Sequence, residues 1–303
     1  MVLTGACFLA LLPFTPRLAS AENLANILAT LLPLFVVALG QTLVMISGGI
    51  DLSVTSAIAL CSVTGAMVMS GDQGWLSGHP LAVPAAVVAM LLTGAGVGLV
   101  NGVAVTRFRM PPFIVTLTTM MFFSGLAIWV TQSRNIGNLP PAFNAIGGRT
   151  SQALAAAALL GVVVHLLLTR SLWGRWLYAV GHNARTALVS GVPVDGVVLG
   201  AYVVCGILAA AASVLYTGQA ESGSPVLTQR LLLDVVGAVV LGGTSLFGGR
   251  GRVLWTLSGV LFLKVMDNGL NLLGLSHFTI MMAKGGVILI AALLDAARNR
   301  RTA

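Results

Sequence analysis

Apolar residues run along this chain in long stretches, separated by short joints of glycine, proline, arginine and aspartate. A helix needs about 20 such residues to cross the hydrocarbon core of a bilayer. The pattern predicts ten spans, at approximately 2–15, 27–47, 54–70, 82–106, 113–131, 153–169, 196–216, 231–247, 254–273 and 277–295. No joint has the length or composition of an interdomain linker, so residues 1–303 read as a single transmembrane domain. The expected fold is all-α, a polytopic membrane helix bundle of about ten helices.

Composition narrows the class further. Of the 303 residues 57% are hydrophobic and only 8% are charged, against about 25% charged in a soluble globular chain. That balance excludes a soluble enzyme, a nucleic-acid binder and a secreted domain, and it leaves no room for a separate catalytic domain. The net charge of +8 is scattered over the ends of the apolar runs, as in membrane proteins whose cytoplasmic loops are enriched in Lys and Arg. With an internal N-terminus, one set of joints holds Arg107, Arg109, Arg170, Arg175, Arg185, Arg250, Arg252, Arg298, Arg300 and Arg301. The opposite set holds Arg17, Arg134, Arg149 and Arg230, and shares its side with Glu22, Asp72 and Glu221. This asymmetry predicts both termini in the cytoplasm.

The first segment admits two readings. Residues 2–14 followed by Ala19-Ser20-Ala21 resemble a secretory signal peptide, but no Lys or Arg precedes the run to form its basic leader. The expectation is a membrane helix at residues 1–15 that is truncated at its start. Cys7, Cys61 and Cys205 all lie in apolar stretches without a C-x-x-C pair and read as buried thiols. Gly94, Gly96 and Gly98 in one span, and Gly237, Gly242 and Gly243 in another, permit close approach of helix backbones or a helix break beside a cavity.

Three stretches carry candidate chemistry. In the first, Gly48-Gly49-Ile50-Asp51-Leu52-Ser53 sets a carboxylate between apolar runs. Such a charge faces protein, a cavity or a partner rather than lipid, and the residues also suit a cap at the start of the following helix. Second, the joint at 170–195 mixes Trp173, Gly174, Arg175, Trp176, Tyr178, Gly181 and Asn183. It fits either a belt at the membrane surface or an amphipathic element docking on another protein. Third, the glycines from Gly237 to Gly251 lack the G-x-x-x-x-G-K-[ST] phosphate cradle, so this chain is not expected to bind ATP. Lys264 and Asp267, three apart, have the spacing of a pair on one helix face. No histidine spacing suggests a metal site and no catalytic triad is apparent.

Taken together these segments resemble the sugar-type permease subunits of bacterial ABC importers, the family of the ribose, xylose, galactose and arabinose permeases. The resemblance rests on Gly40-Gln41-Thr42 with Gly48–Ser53, Asn101-Gly102 with Pro111–Thr116, Gly174-Arg175 through Asn183 to Gly191, and Val239–Gly251 with Asn268–Gly274. It implies a multi-pass protein of the bacterial inner membrane that acts as a dimer with a second permease copy or paralogue. It further implies two cytoplasmic ABC ATPase domains that bind the ATP, a periplasmic solute-binding protein, and no cofactor or nucleic acid on this chain. The joint at 170–195 then matches the segment that couples to the ATPase, making Gly174, Arg175, Tyr178, Gly181, Asn183 and Gly191 coupling candidates. Gly48, Gly49, Asp51, Ser53, Gly242, Gly243 and Asn268 are the translocation-pathway candidates. The competing readings are an ion-coupled secondary transporter using Asp51 or Asp267, and a branched-chain amino-acid or nucleoside permease of the same ABC type.

Overall fold

A computed structural model describes residues 2–229 and 231–300, and the side chains of 2 and 298–300 lie outside that description. Arg230 and Arg301 of the charge count, with the side chains of Arg298 and Arg300, therefore fall outside the described residues. The regular secondary structure of the described residues is helical, apart from one isolated bridge between Ile136 and Gly223.

The helices are α1 (Val2–Leu11), α2 (Ala21–Ile46), α3 (Val54–Met69), α4 (Ala82–Thr106), α5 (Pro112–Thr131), α6 (Pro141–Gly148) and α7 (Thr150–Arg170). They continue with α8 (Leu172–His182), α9 (Ala184–Val189), α10 (Val194–Ala220), α11 (Leu232–Leu241), α12 (Val253–Leu272) and α13 (His277–Arg300). Seven of them, α2, α4, α5, α7, α10, α12 and α13, are long and apolar enough to cross a membrane. The spans expected at 54–70 and 231–247 are shorter helices, of 16 and 10 residues, and the first span is a 10-residue helix followed by a 3-10 turn. The joint at 132–152 contains α6, and the joint at 170–195, where one reading is an amphipathic element, contains α8 and α9.

Helix α2 is the axis of the bundle. It starts at Ser20, whose side chain accepts a hydrogen bond from the Asn23 amide, with Glu22 in the first turn against the positive end of the helix dipole. From Leu31 to Ile46 every residue is buried, because a helix apolar on all sides can be surrounded on all sides. Helices α7, α8, α10, α11 and α12 pack around it. Helix α10 makes the most extensive contact in the molecule, with α4, and also touches α3 and α6.

Glycine sets the α4–α10 distance. A Cβ on Gly94 would collide with the carbonyl oxygen of Gly206, and one on Gly206 with that of Gly94, while Gly98 meets the Tyr202 carbonyl in the same way. Hydroxyls add directional contacts between other helices: Thr42 to Thr256 at 2.7 Å, Ser213 to the Ile58 carbonyl at 2.7 Å, and Thr217 to Ser62 at 2.7 Å. Inside a membrane, packing and such hydrogen bonds supply the association energy that apolar burial supplies in water.

Candidate translocation and coupling site

The chain between α2 and α3 breaks at Ser47–Ser53; Gly48 is exposed at its start, and Asp51, Leu52 and Ser53 are buried within the bundle. Gly48 takes φ +86°, a left-handed turn that a side chain would strain. Asp51 is 2% exposed, and its Oδ1 accepts hydrogen bonds from the Ser53 amide at 2.8 Å and the Ser53 hydroxyl at 2.6 Å. The Asn101 amide donates to the Ser53 hydroxyl at 2.7 Å, and Thr119 donates to the Asn101 carbonyl oxygen at 2.7 Å. The Ile50 carbonyl accepts from Tyr202 and Thr116, each at 3.3 Å. One buried polar network thus ties the break to α4, α5 and α10, where each donor finds an acceptor away from lipid.

Two further glycine segments meet at this break. Near the end of α8, Gly181 lies so close to the Ile46 carbonyl that a Cβ there would collide with it and come within 2.6 Å of the Gly249 nitrogen. Gly249 donates its amide to the same Ile46 carbonyl at 2.9 Å, and a Cβ on Gly248 would fall 2.7 Å from the Gly181 carbonyl and 3.0 Å from the Gly48 Cα. Ile46, Gly48, Gly181 and Gly248–Gly249 therefore form a close backbone junction that leaves no room for a side chain at Gly181 or Gly248. Tyr178 fastens α8 to it from one turn away, donating to the Gly251 carbonyl at 2.7 Å. Burial raises the Tyr178 phenol above its ordinary value and nearby Arg252 partly offsets that, so the phenol stays a donor at neutral pH.

Helix α8 has two faces. Gly174, Leu177 and Val180 are buried, whereas Leu172, Arg175, Ala179 and His182 are exposed. The Ser171 hydroxyl caps α8 by accepting from the Gly174 amide at 2.9 Å, and Gly174 packs tightly on the Leu167 and Leu168 carbonyls. Asn183 caps α9, accepting from the Thr186 amide at 3.0 Å, and Gly191 turns the chain out of α9 at φ +82°. Beyond α8, Leu188 and Val189 are 63% and 85% exposed, an apolar tip next to Arg185.

The remaining pathway candidates are dispersed. Gly242 ends α11 where a Cβ would strike the Trp255 carbonyl, and Gly243 carries φ +100°. Asn268 forms a reciprocal amide pair with Asn23, both hydrogen bonds 2.9 Å, which staples α12 to the start of α2. The expected pair of Lys264 with Asp267 is not made. Instead, Lys284 on α13 bridges Asp267 at 3.0 Å and Asp234 at 3.1 Å, because α13 brings an ammonium between two carboxylates on different helices. These groups line a cavity of about 300 Å³ together with Lys264 and Asn271. The sequence reading overlooked Asp234; its signal was a carboxylate at the start of an apolar run, matched by a lysine within the last span.

Comparisons with known proteins identify a family of transport permeases. The family described as branched-chain amino acid transport system / permease component matches residues 23–293. The chain is 38% identical to the ribose import permease protein RbsC of Bacillus subtilis over 287 residues, covering 92% of this chain and 86% of that protein. It is 37% identical to RbsC of Escherichia coli strain K12, covering 93% and 88% respectively. With the L-arabinose transport system permease protein AraH of that strain it shares 31% identity, covering 97% and 89%. No solved structure shows significant similarity to the chain. A bundle built of apolar helices, matched along most of its length by this family and by the ribose and arabinose permeases, belongs to the branched-chain amino acid transport system / permease component family as a multi-pass membrane permease.

Proposed function

We propose that this chain is the permease subunit of an ATP-binding-cassette importer for a sugar or sugar-like solute in the bacterial inner membrane. The relatives named for ribose and arabinose import support the solute class. Both termini face the cytoplasm in this reading, and α1, α3 and α11 join the seven long helices in a bundle of about ten. The chain works as a dimer with a second copy or a paralogue. A periplasmic binding protein delivers the solute, and two cytoplasmic ATPase domains bind and hydrolyse ATP, so the permease itself needs no cofactor.

The observation that carries this reading is the glycine junction. Helix α8 and α9, with exposed Arg175, Asn183, Arg185 and Leu188, offer a mixed apolar and basic surface to the ATPase. Displacement of α8 reaches the α2–α3 break directly, because Gly181 rests on Ile46 and Gly248 on Gly48. The break in turn connects through Asp51, Ser53 and Asn101 to α4 and α5. A nucleotide-driven push on α8 would thereby shift a discrete packing arrangement rather than bend a helix, as alternating access requires. At the other end of the bundle, the carboxylates, ammonium groups and Asn271 amide around the 300 Å³ cavity supply donors and acceptors of the kind a polyhydroxylated solute meets.

The test is uptake by proteoliposomes containing the permease, its ATPase and its loaded binding protein. Uptake should require ATP on the ATPase side and persist when an uncoupler abolishes ion gradients. Collapse of uptake with the uncoupler while ATP remains high would instead establish a secondary transporter.

A further inference from the structure

A second cavity, of about 510 Å³, lies at the basic end of the bundle, which we read as cytoplasmic, between the end of α7 and the start of α12. Tyr178 and the loop Gly249–Arg252 also line it. Its charged lining is one-sided: Arg250 and Arg252 are present, with His165 and Thr169 beside them, and no aspartate or glutamate takes part. The Arg252 guanidinium lies 5.0 Å from the centre of the Trp255 ring. Helix α12 begins there without a side-chain cap, so its positive dipole end adds to the same field.

The cavity belongs to the lipid boundary. His165 and Thr169 are three residues on from Val162 and Leu166, so all four share one face of α7, and Val162 and Leu166 are 56% and 49% exposed. Thr169 is the penultimate residue of α7 and Trp255 the third of α12, which sets the groove at the depth where tryptophan and arginine meet headgroups. Leu254, 65% exposed, extends an apolar wall beside the arginines. Basic pockets between membrane helices on the cytoplasmic side are recognition sites for anionic headgroups.

We propose that the groove between α7 and α12 binds the phosphate headgroup of an anionic phospholipid, with Arg250 and Arg252 on the phosphate and Trp255 and Leu254 along the first part of an acyl chain. A neutral sugar would leave both guanidinium groups without a counter-charge. An acidic segment of the ATPase would satisfy them but gives no role to the apolar wall that continues from the exposed face of α7. A lipid satisfies both at once, and its occupancy would brace α7 and α12 on either side of Tyr178.

The probe is brominated phosphatidylglycerol titrated into phosphatidylcholine vesicles containing the full-length protein, read as quenching of the Trp255 contribution to fluorescence, defined by subtraction of Trp255→Phe. Wild type should show saturable quenching that brominated phosphatidylcholine does not reproduce and that inorganic phosphate does not displace. The double variant Arg250→Gln with Arg252→Gln should need a roughly thirtyfold higher fraction of the anionic lipid, from about one guanidinium-headgroup interaction lost per arginine. Thr169→Glu, at an exposed position whose hydroxyl bonds to the His165 carbonyl of its own helix, should weaken quenching in the same direction by repulsion, and serves if the double variant does not fold. Unchanged quenching curves in these variants would overturn the proposal. Displacement by inorganic phosphate would reassign the groove to a soluble anion, and loss of quenching on addition of the ATPase would reassign it to that protein.

Discussion

At the scale of single residues, the chemistry of the α2–α3 break is set by Asp51. Its carboxylate is buried, and one oxygen holds both donors of Ser53, which in turn accepts from Asn101. Removing it strands two buried donors, each worth about 1–3 kcal/mol when left unpaired. Asp51→Leu should therefore lower stability by about 2–6 kcal/mol and depress transport, whereas Asp51→Asn keeps an acceptor and loses less. Thermal unfolding of the detergent-purified variants checks the order, and equal midpoints for Asp51→Leu and wild type would remove the network from the account. The sequence made part of this legible. A carboxylate within G-G-I-D-L-S had to face protein or a cavity; the cap it also suited is not made, since α3 follows Ser53 without a side-chain cap, and Asp51 closes an Asx-type turn to the Ser53 amide instead. Its link to Asn101 and Thr119 was not readable, because hydrogen bonds between helices depend on a register that no local pattern encodes.

At the scale of elements, the apolar runs locate most helices within a few residues, since spans need length and hydrophobicity and little else. They fail at α8 and α9, which are amphipathic and short, and at α6, whose Pro141 at the first position reads equally well as a turn. They also overextend α11, which ends at Leu241 where Gly242 and Gly243 turn the chain. The glycines of α4 show what pattern alone leaves open. Gly94, Gly96 and Gly98 look alike in sequence, yet Gly94 and Gly98 press on α10 whereas a Cβ at Gly96 meets nothing within 4 Å. Gly94→Leu should cost about 3 kcal/mol or more by forcing α4 and α10 apart. Gly96→Leu should lie within about 0.5 kcal/mol of wild type, and its higher helix propensity favours the gain side. Chemical denaturation in detergent compares the two, and equal destabilisation would contradict the packing of this pair. The charged cluster on α11, α12 and α13 makes the same point in reverse: the i, i+3 spacing of Lys264 and Asp267 suggested a local pair, and tertiary placement gave Asp267 to Lys284 instead.

At the scale of the whole molecule, three glycine segments far apart in sequence, Gly48, Gly181 and Gly248-Gly249, converge on one backbone junction. The sequence singled out each of them without showing that they touch. Their meeting gives a route from the surface of α8 to the centre of the bundle, and it is this route that the proposed coupling depends on. A bulky side chain at Gly181 has no space between the Ile46 carbonyl and the Gly249 amide, so it would lift the end of α8 away from the junction and leave α2, α4 and α10 packed. The most direct measurement is ATPase activity of reconstituted Gly181→Trp complexes beside wild type, with and without loaded binding protein, after copurification has shown that the ATPase is bound. The account predicts an assembled complex whose basal hydrolysis remains while stimulation by the loaded binding protein and solute uptake are lost. Wild-type stimulation with full uptake in Gly181→Trp would contradict it.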